Sequence, residues 1–172
     1  MISEIIKLFL IKKKLKKASF SSLAPPSPAV VQHVGLLLNA NSTFNKNKLL
    51  LELKHQGFDI SNVKVMLYKE KLAKEEVIEE PFFSLKDIDT KGAFIKESVV
   101  HFTKQSFDLL INLFPEDDLV LHYVALNSQA RFKVGLASST TFYNHLIIDG
   151  ERSDSKKIIE EIVKYLRILK KI

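Results

Sequence analysis

Val34–Leu38 is an almost unbroken apolar run that contains Gly35, and Phe107–Phe114 is a second long apolar segment, closed by Pro115. A strand with one wet face alternates apolar and polar side chains, whereas a strand without that alternation needs cover on both faces. Cover on both faces means helices above and below a parallel sheet. These two runs therefore restrict the chain to the α/β class more tightly than any other feature. The length of 172 residues fits one core, and an apolar fraction of 46% is enough to fill it.

The rest of the chain follows a strand–helix alternation. After Val34–Leu38, the polar loop Asn39–Ser42 leads to a helix capped by Ser42 or Thr43 and running to about Gln56. Phe44, Leu49, Leu50 and Leu53 form its apolar face, and Gly57 stands at its left-handed end. Ser61-Asn62 turns the chain into a second strand, Val63–Tyr68, which completes a right-handed βαβ unit. Lys69–Glu80 is charged and solvated, Phe82–Ser84 is short and extended, and Lys86–Lys96 is irregular. Glu97–Lys104 forms a helix with Val99 and Phe102 inward, or a strand through Val99-Val100. Glu116, Asp117 and Asp118 suit the first turn of a helix reaching Ser128. Arg131–Leu136 and Asn144–Ile148 are strands, and a last helix, capped by Ser153 or Asp154, spans residues 155–171. The expected fold is a doubly wound, Rossmann-like, mostly parallel sheet of about five or six strands, in the order 3-2-1-4-5-6 for six.

Residues 1–17 stand apart from this domain. They hold six of the 26 basic residues and one of the 20 acids, and so carry +5 of the net charge of +6. They read as an amphipathic helix with Ile2, Ile5, Ile6, Phe9 and Leu10 on one face and Lys12, Lys13, Lys14, Lys16 and Lys17 following. Residues 18–29, rich in Ser and Pro, read as a linker, and residues 30–172 as a single α/β domain. Three partners suit such an arm. An anionic membrane surface would take the apolar face at its headgroup boundary and the lysines at its charge. The domain itself, or a second subunit in a homo-oligomer, would bury Ile2, Ile5, Ile6 and Phe9 and leave the lysines in water. Nucleic acid is disfavoured, because residues 30–172 show no basic groove interleaved with exposed aromatics.

No apolar run is long enough to span a membrane, and the lysines follow the apolar stretch rather than precede it, as a secretory signal would require. The chain has no cysteine, so thiolate metal sites and cysteine nucleophiles are excluded. A cytoplasmic location, peripheral to the inner membrane face, is the expectation.

In open parallel sheets, ligands bind beyond the carboxyl ends of the strands, where the strand order reverses. Asn39, Asn41 and Ser42 after the first strand and Asn112 and Glu116 at the fourth are the candidates for that cleft, which would hold a nucleotide or sugar-phosphate. Against this, Asn39–Thr43 has no glycine for a pyrophosphate to approach, and capping and turn roles account for the same residues. Ser138, Ser139, Thr140 and Thr141 lack a paired base. The five histidines His33, His55, His101, His122 and His145 show no ligand spacing, so no metal and no cofactor are implied.

Phe107-Asp108-Leu109-Leu110-Ile111-Asn112, with Val124-Ala125-Leu126-Asn127-Ser128-Gln129-Ala130-Arg131-Phe132-Lys133-Val134-Gly135, resembles a small bacterial family of unknown function. The resemblance includes the basic helical start and implies no catalytic residue at any named position. The strand–helix order is also similar to one lobe of two-lobed glycosyltransferases, a likeness of fold alone. The expected role is a binding or interaction domain without catalysis. The alternative is a small-molecule binding protein or enzyme working in the cleft.

Overall fold

The computed structural model describes residues 2–18, 29–71, 80–137, 143–149 and 154–172. Most of the Ser/Pro-rich stretch, most of Lys69–Glu80 and the hydroxyl run Ser138–Thr141 lie outside the described residues.

The elements in chain order are α1 (Ile2–Lys17), β1 (Val34–Asn39), α2 (Lys46–His55), β2 (Val63–Tyr68), β3 (Phe82–Phe83), α3 (Glu97–Lys104), β4 (Leu109–Leu113), α4 (Leu119–Asn127), β5 (Lys133–Leu136), β6 (Leu146–Ile148) and α5 (Ser155–Ile168). Six strands form one sheet in the order β3-β2-β1-β4-β5-β6, with every pairing parallel. The expected Rossmann-like order is thus realised. β1 and β4 sit at the centre and are buried along almost their whole length, as their lack of alternation demands.

The sheet separates two cores. Val34, Leu36 and Leu38 of β1 and Leu109, Ile111 and Leu113 of β4 face α2 and α5. Leu37 and Leu110 face the other way, toward α3, α4 and the inner side of α1. Lys133 of β5 also points to this second side, where its Nζ donates to the Ala125 carbonyl at the end of α4 at 2.9 Å. Burial pushes this amine down to about 8. Arg131, two positions earlier, is exposed, so the two basic residues are split between solvent and core.

Several boundaries differ from expectation for identifiable reasons. α2 is capped by Asn45, whose Oδ1 accepts from Lys48 N at 3.1 Å, rather than by Ser42 or Thr43. Phe44 is buried just ahead of that cap, so the helix starts after it. Glu116, Asp117 and Asp118 form a turn before α4, closed by Asp118 N on the Pro115 carbonyl at 3.2 Å, and do not occupy its first turn. Asp154 caps α5 through the Lys157 amide. That helix stops at Ile168 because Lys170 turns left-handed (φ 53°) and Lys171 N closes on the Leu166 carbonyl.

The largest difference concerns α1. The helix packs on α4, but through the face opposite to the one expected. Ile11 is fully buried and Leu15 partly so, whereas Ile2, Ile5, Ile6 and Phe9 are exposed. Two inner-face lysines serve as struts: Lys7 Nζ donates to the Leu85 carbonyl at 3.4 Å, and Lys14 Nζ to the Lys91 carbonyl at 3.1 Å and to Tyr123 Oη at 3.0 Å. Tyr123 in turn donates to the Gly92 carbonyl at 2.7 Å. Gly92 takes a left-handed φ of 83°, and a Cβ there would stand 2.7 Å from both Leu10 Cδ2 and Lys14 Nζ. The left-handed backbone turn is what requires glycine there.

Ile11→Ala is expected to lower unfolding stability by about 3 kcal/mol, the range for emptying a buried isoleucine site. Ile5→Ala on the outer face is expected to stay within about 0.5 kcal/mol of the wild type. Urea denaturation of both variants checks which face holds the helix.

Candidate functional site

The strand order reverses between β1 and β4, so the carboxyl ends of these strands and of β2 frame a cleft of about 260 Å³. Asn39, the last residue of β1, is the organiser. Its Nδ2 donates to both carboxylate oxygens of Asp118 at 3.1 and 2.9 Å, and its Oδ1 accepts from the Asn41 amide at 2.8 Å. Tyr68 stands in register beside it at the end of β2. Glu70 and Asp117 complete the polar lining, and Leu8 of α1 forms part of the wall.

The electrostatics of this cleft are acidic. Burial raises the Asp118 carboxyl above its ordinary value; the Asn39 hydrogen bonds oppose the shift, and Asp117 and Glu70 add to it. Burial, assisted by the charges of Glu70 and Asp118, pushes the Tyr68 phenol up to about 12. Among the described residues, no three acidic or histidine side chains converge as a metal-holding group. A cleft with three acids and a capped α2 start repels phosphate and suits hydroxyl-bearing or cationic ligands.

Of the five residues picked from the sequence for this cleft, Asn39 and Asn41 line it together. Ser42 does not line it, and its Oγ is buried without a hydrogen-bond partner. Asn112 lies buried within the sheet, where its Nδ2 donates to Asn144 Oδ1 at 2.9 Å. Glu116 lines a different cavity, of about 360 Å³, between α1 and α4, beside Lys12, Lys16, His122 and Tyr143. Asp118, Tyr68 and Glu70 are the cleft residues that sequence reasoning missed. The usable signal was Tyr68, which ends the strand next to the one that Asn39 ends.

The lysines of α1 also divide. Lys14 is spent on the domain, Lys12 and Lys16 rim the second cavity, and Lys13 and Lys17 point to solvent. The floor of that cavity holds His122, whose Nδ1 is hydrogen-bonded to the Tyr143 hydroxyl and whose ring packs edge-on against Phe114. Burial lowers the His122 pKa, while the Pro115 and Glu116 carbonyls favour its charged form.

The sequence model of a family of unknown function (DUF6913) matches residues 7–169. The chain belongs to this family. No curated protein matches it. The DUF6913 match opens at Lys7, the first strut of α1, and closes at Leu169, just past α5. The docked turns of α1 are therefore part of the family unit, together with the whole sheet. The expected membership of an uncharacterised family holds.

A carboxyl whose folded value lies above its unfolded one takes up its proton first in the folded state. The folded state therefore gains as pH falls through that raised value, and ionised Asp118 destabilises the fold at neutral pH. Asp118→Asn, which keeps an acceptor for Asn39, is expected to raise the urea midpoint at pH ~7 and to leave it unchanged at pH ~3, where both states are protonated. An equal gain at both values excludes this charge effect.

Proposed function

We propose that this DUF6913 protein acts by binding rather than by catalysis, and that it docks on anionic membrane surfaces through the outer side of α1. The observation that carries this reading is the orientation of the helix. Ile11 and the struts Lys7 and Lys14 hold one side on the domain, so the side carrying Ile2, Ile5, Ile6 and Phe9 is displayed outward. Ile2 is 76% exposed and Phe9 69% exposed. Elsewhere Leu51, Ile95 and Ile147 are spread over different elements, and a smaller group, Ile168, Leu169 and Ile172, stands at the end of α5, on a different element from Lys13 and Lys17. A clustered apolar face marks an interaction surface, whereas scattered residues do not.

Charge complementarity selects the occupant. By helical spacing, Lys13 and Lys17 fall on the same outward side, one to two turns beyond Phe9. A helix lying in the headgroup plane would bury its apolar half and place its basic half against anionic lipid. No helix among the described residues is long and apolar enough to cross a membrane, so attachment of this kind would be peripheral.

A second reading rests on the raised Asp118 carboxyl and its Asn39 clamp, which equip the cleft to hold a small ligand or substrate. Its acids favour a hydroxyl-bearing or amine ligand over the nucleotide or sugar-phosphate that the fold alone suggests.

Flotation of the full chain with vesicles tests the membrane reading. Binding is expected to vesicles of mixed phosphatidylcholine and phosphatidylserine and to weaken with added salt. Pure phosphatidylcholine is expected to bind far less. Replacing Lys13 and Lys17 together by glutamine is expected to lower the partition coefficient about thirtyfold, from about 1 kcal/mol per lysine. Equal binding to both vesicle types, or an unaffected Phe9→Glu variant, refutes the proposal.

A further inference from the structure

The cavity between α1 and α4 is independent of both the outward face of α1 and the acidic cleft. Its volume, about 360 Å³, is in the range of small-molecule sites. Leu15 and Ala18 of the α1 end and Leu119 of α4 make apolar walls, and the exposed Lys12, Lys16 and Glu116 stand at its rim.

The floor is polar and deeply buried. His122 and Tyr143 are 3% and 2% exposed. Tyr143 and His122 Nδ1 are bonded to each other, while His122 Nε2 closes no full hydrogen bond, although the Pro115 and Glu116 carbonyls lie beside the ring. A phenol is a better acid than a neutral imidazole N–H, so Tyr143 donates and the ring proton resides on Nε2. An incompletely satisfied donor thus belongs to a residue that lines the cavity.

A second buried polar pair follows next in the chain. Asn144, next in the chain to Tyr143, pairs with Asn112, and each amide keeps one unpartnered atom, Asn144 Nδ2 and Asn112 Oδ1. Gly135 makes the room, because a Cβ there would stand directly against the Asn144 amide. Among the described residues, three of the five buried side-chain atoms without a partner belong to these two pairs. An unmade bond at a buried atom opposes folding, so His122 in the cavity lining marks a place where something polar binds.

We propose that this cavity is a binding site for a small monocarboxylate with an apolar body. The carboxylate meets the His122 N–H and the two lysine ammoniums, and the apolar body lies against Leu15, Ala18 and Leu119. Glu116 offsets one of the two lysine charges, so a single negative charge is matched and a phosphate dianion is not. Because α1 supplies one wall, the bound ligand also ties α1 to α4.

Thermal shift and calorimetry on the full chain test this, with octanoate below its micellar range as the probe. Octanol supplies the same body without charge, and inorganic phosphate supplies charge without a body. Octanoate is expected to stabilise the protein saturably, and neither control is expected to do so. Lys16→Glu at the exposed rim and His122→Phe at the floor are each expected to weaken octanoate by about tenfold, the loss of one charge-assisted contact. Lys13→Gln, outside the cavity, is expected to leave octanoate binding unchanged. No octanoate shift, an equal octanol shift, or full affinity in the folded Lys16→Glu variant overturns the proposal. Vesicle binding is read separately through Lys13 and Lys17, so the two proposals succeed or fail independently.

Discussion

Everything in this structure depends on the double-sided burial of two strands. β1 and β4 hydrogen-bond to each other, carry apolar side chains to both faces, and can face water on neither. One face is closed by two amphipathic helices of ordinary design, α2 and α5, whose inner sides are leucine and isoleucine. The other is covered by two short helices, α3 and α4, of eight and nine residues, and they do not suffice. α1 supplies the missing cover, driving Ile11 into the same core as Leu37, Leu110 and Tyr123. The helix that looks like an appendage in the sequence is a structural member of the sheet's second layer.

The strands were legible because strand burial writes itself as composition. Runs such as Val34–Leu38 and Val63–Tyr68 have few alternative meanings, and Gly57 and Pro115 punctuate them as glycine and proline do elsewhere. The docking side of α1 was not legible, for a specific physical reason. Lys7 and Lys14 lay their alkyl stems along the domain and direct their ammonium groups to backbone carbonyls, so residues on the buried side register as polar in any periodicity count. The more apolar stripe, Ile2 to Phe9, is the one left in solvent. Helix caps were missed by a similar margin: the candidates Ser42 and Thr43 were chemically suitable, but burial of Phe44 moved the start of α2 to Asn45.

The candidate site was half legible. Fold rules place ligands at the strand ends where the order reverses, and that rule found Asn39 and Asn41. It carries no information on which way a given strand-end side chain turns. Asn112 is one residue from the end of β4, and the pleat sends it inward to Asn144 rather than outward to the cleft. Glu116 and Asp118 are two positions apart in one turn, and they serve different cavities. The pairing of His122 with Tyr143 joins residues on a helix and on a connection 21 positions later, and no local pattern announces it.

The place of α1 in the chain has a consequence for how the molecule assembles. Its struts reach Leu85, Lys91 and Tyr123, residues 77 to 109 positions away. During synthesis this helix leaves the ribosome well before α4, yet the surface it needs exists only after α4 has formed. Both of its sides are therefore unsheltered until α4 follows, and a helix made early is placed late. Such late, long-range closure slows folding and lengthens the life of a species whose apolar residues are free to be captured by whatever surface is nearest.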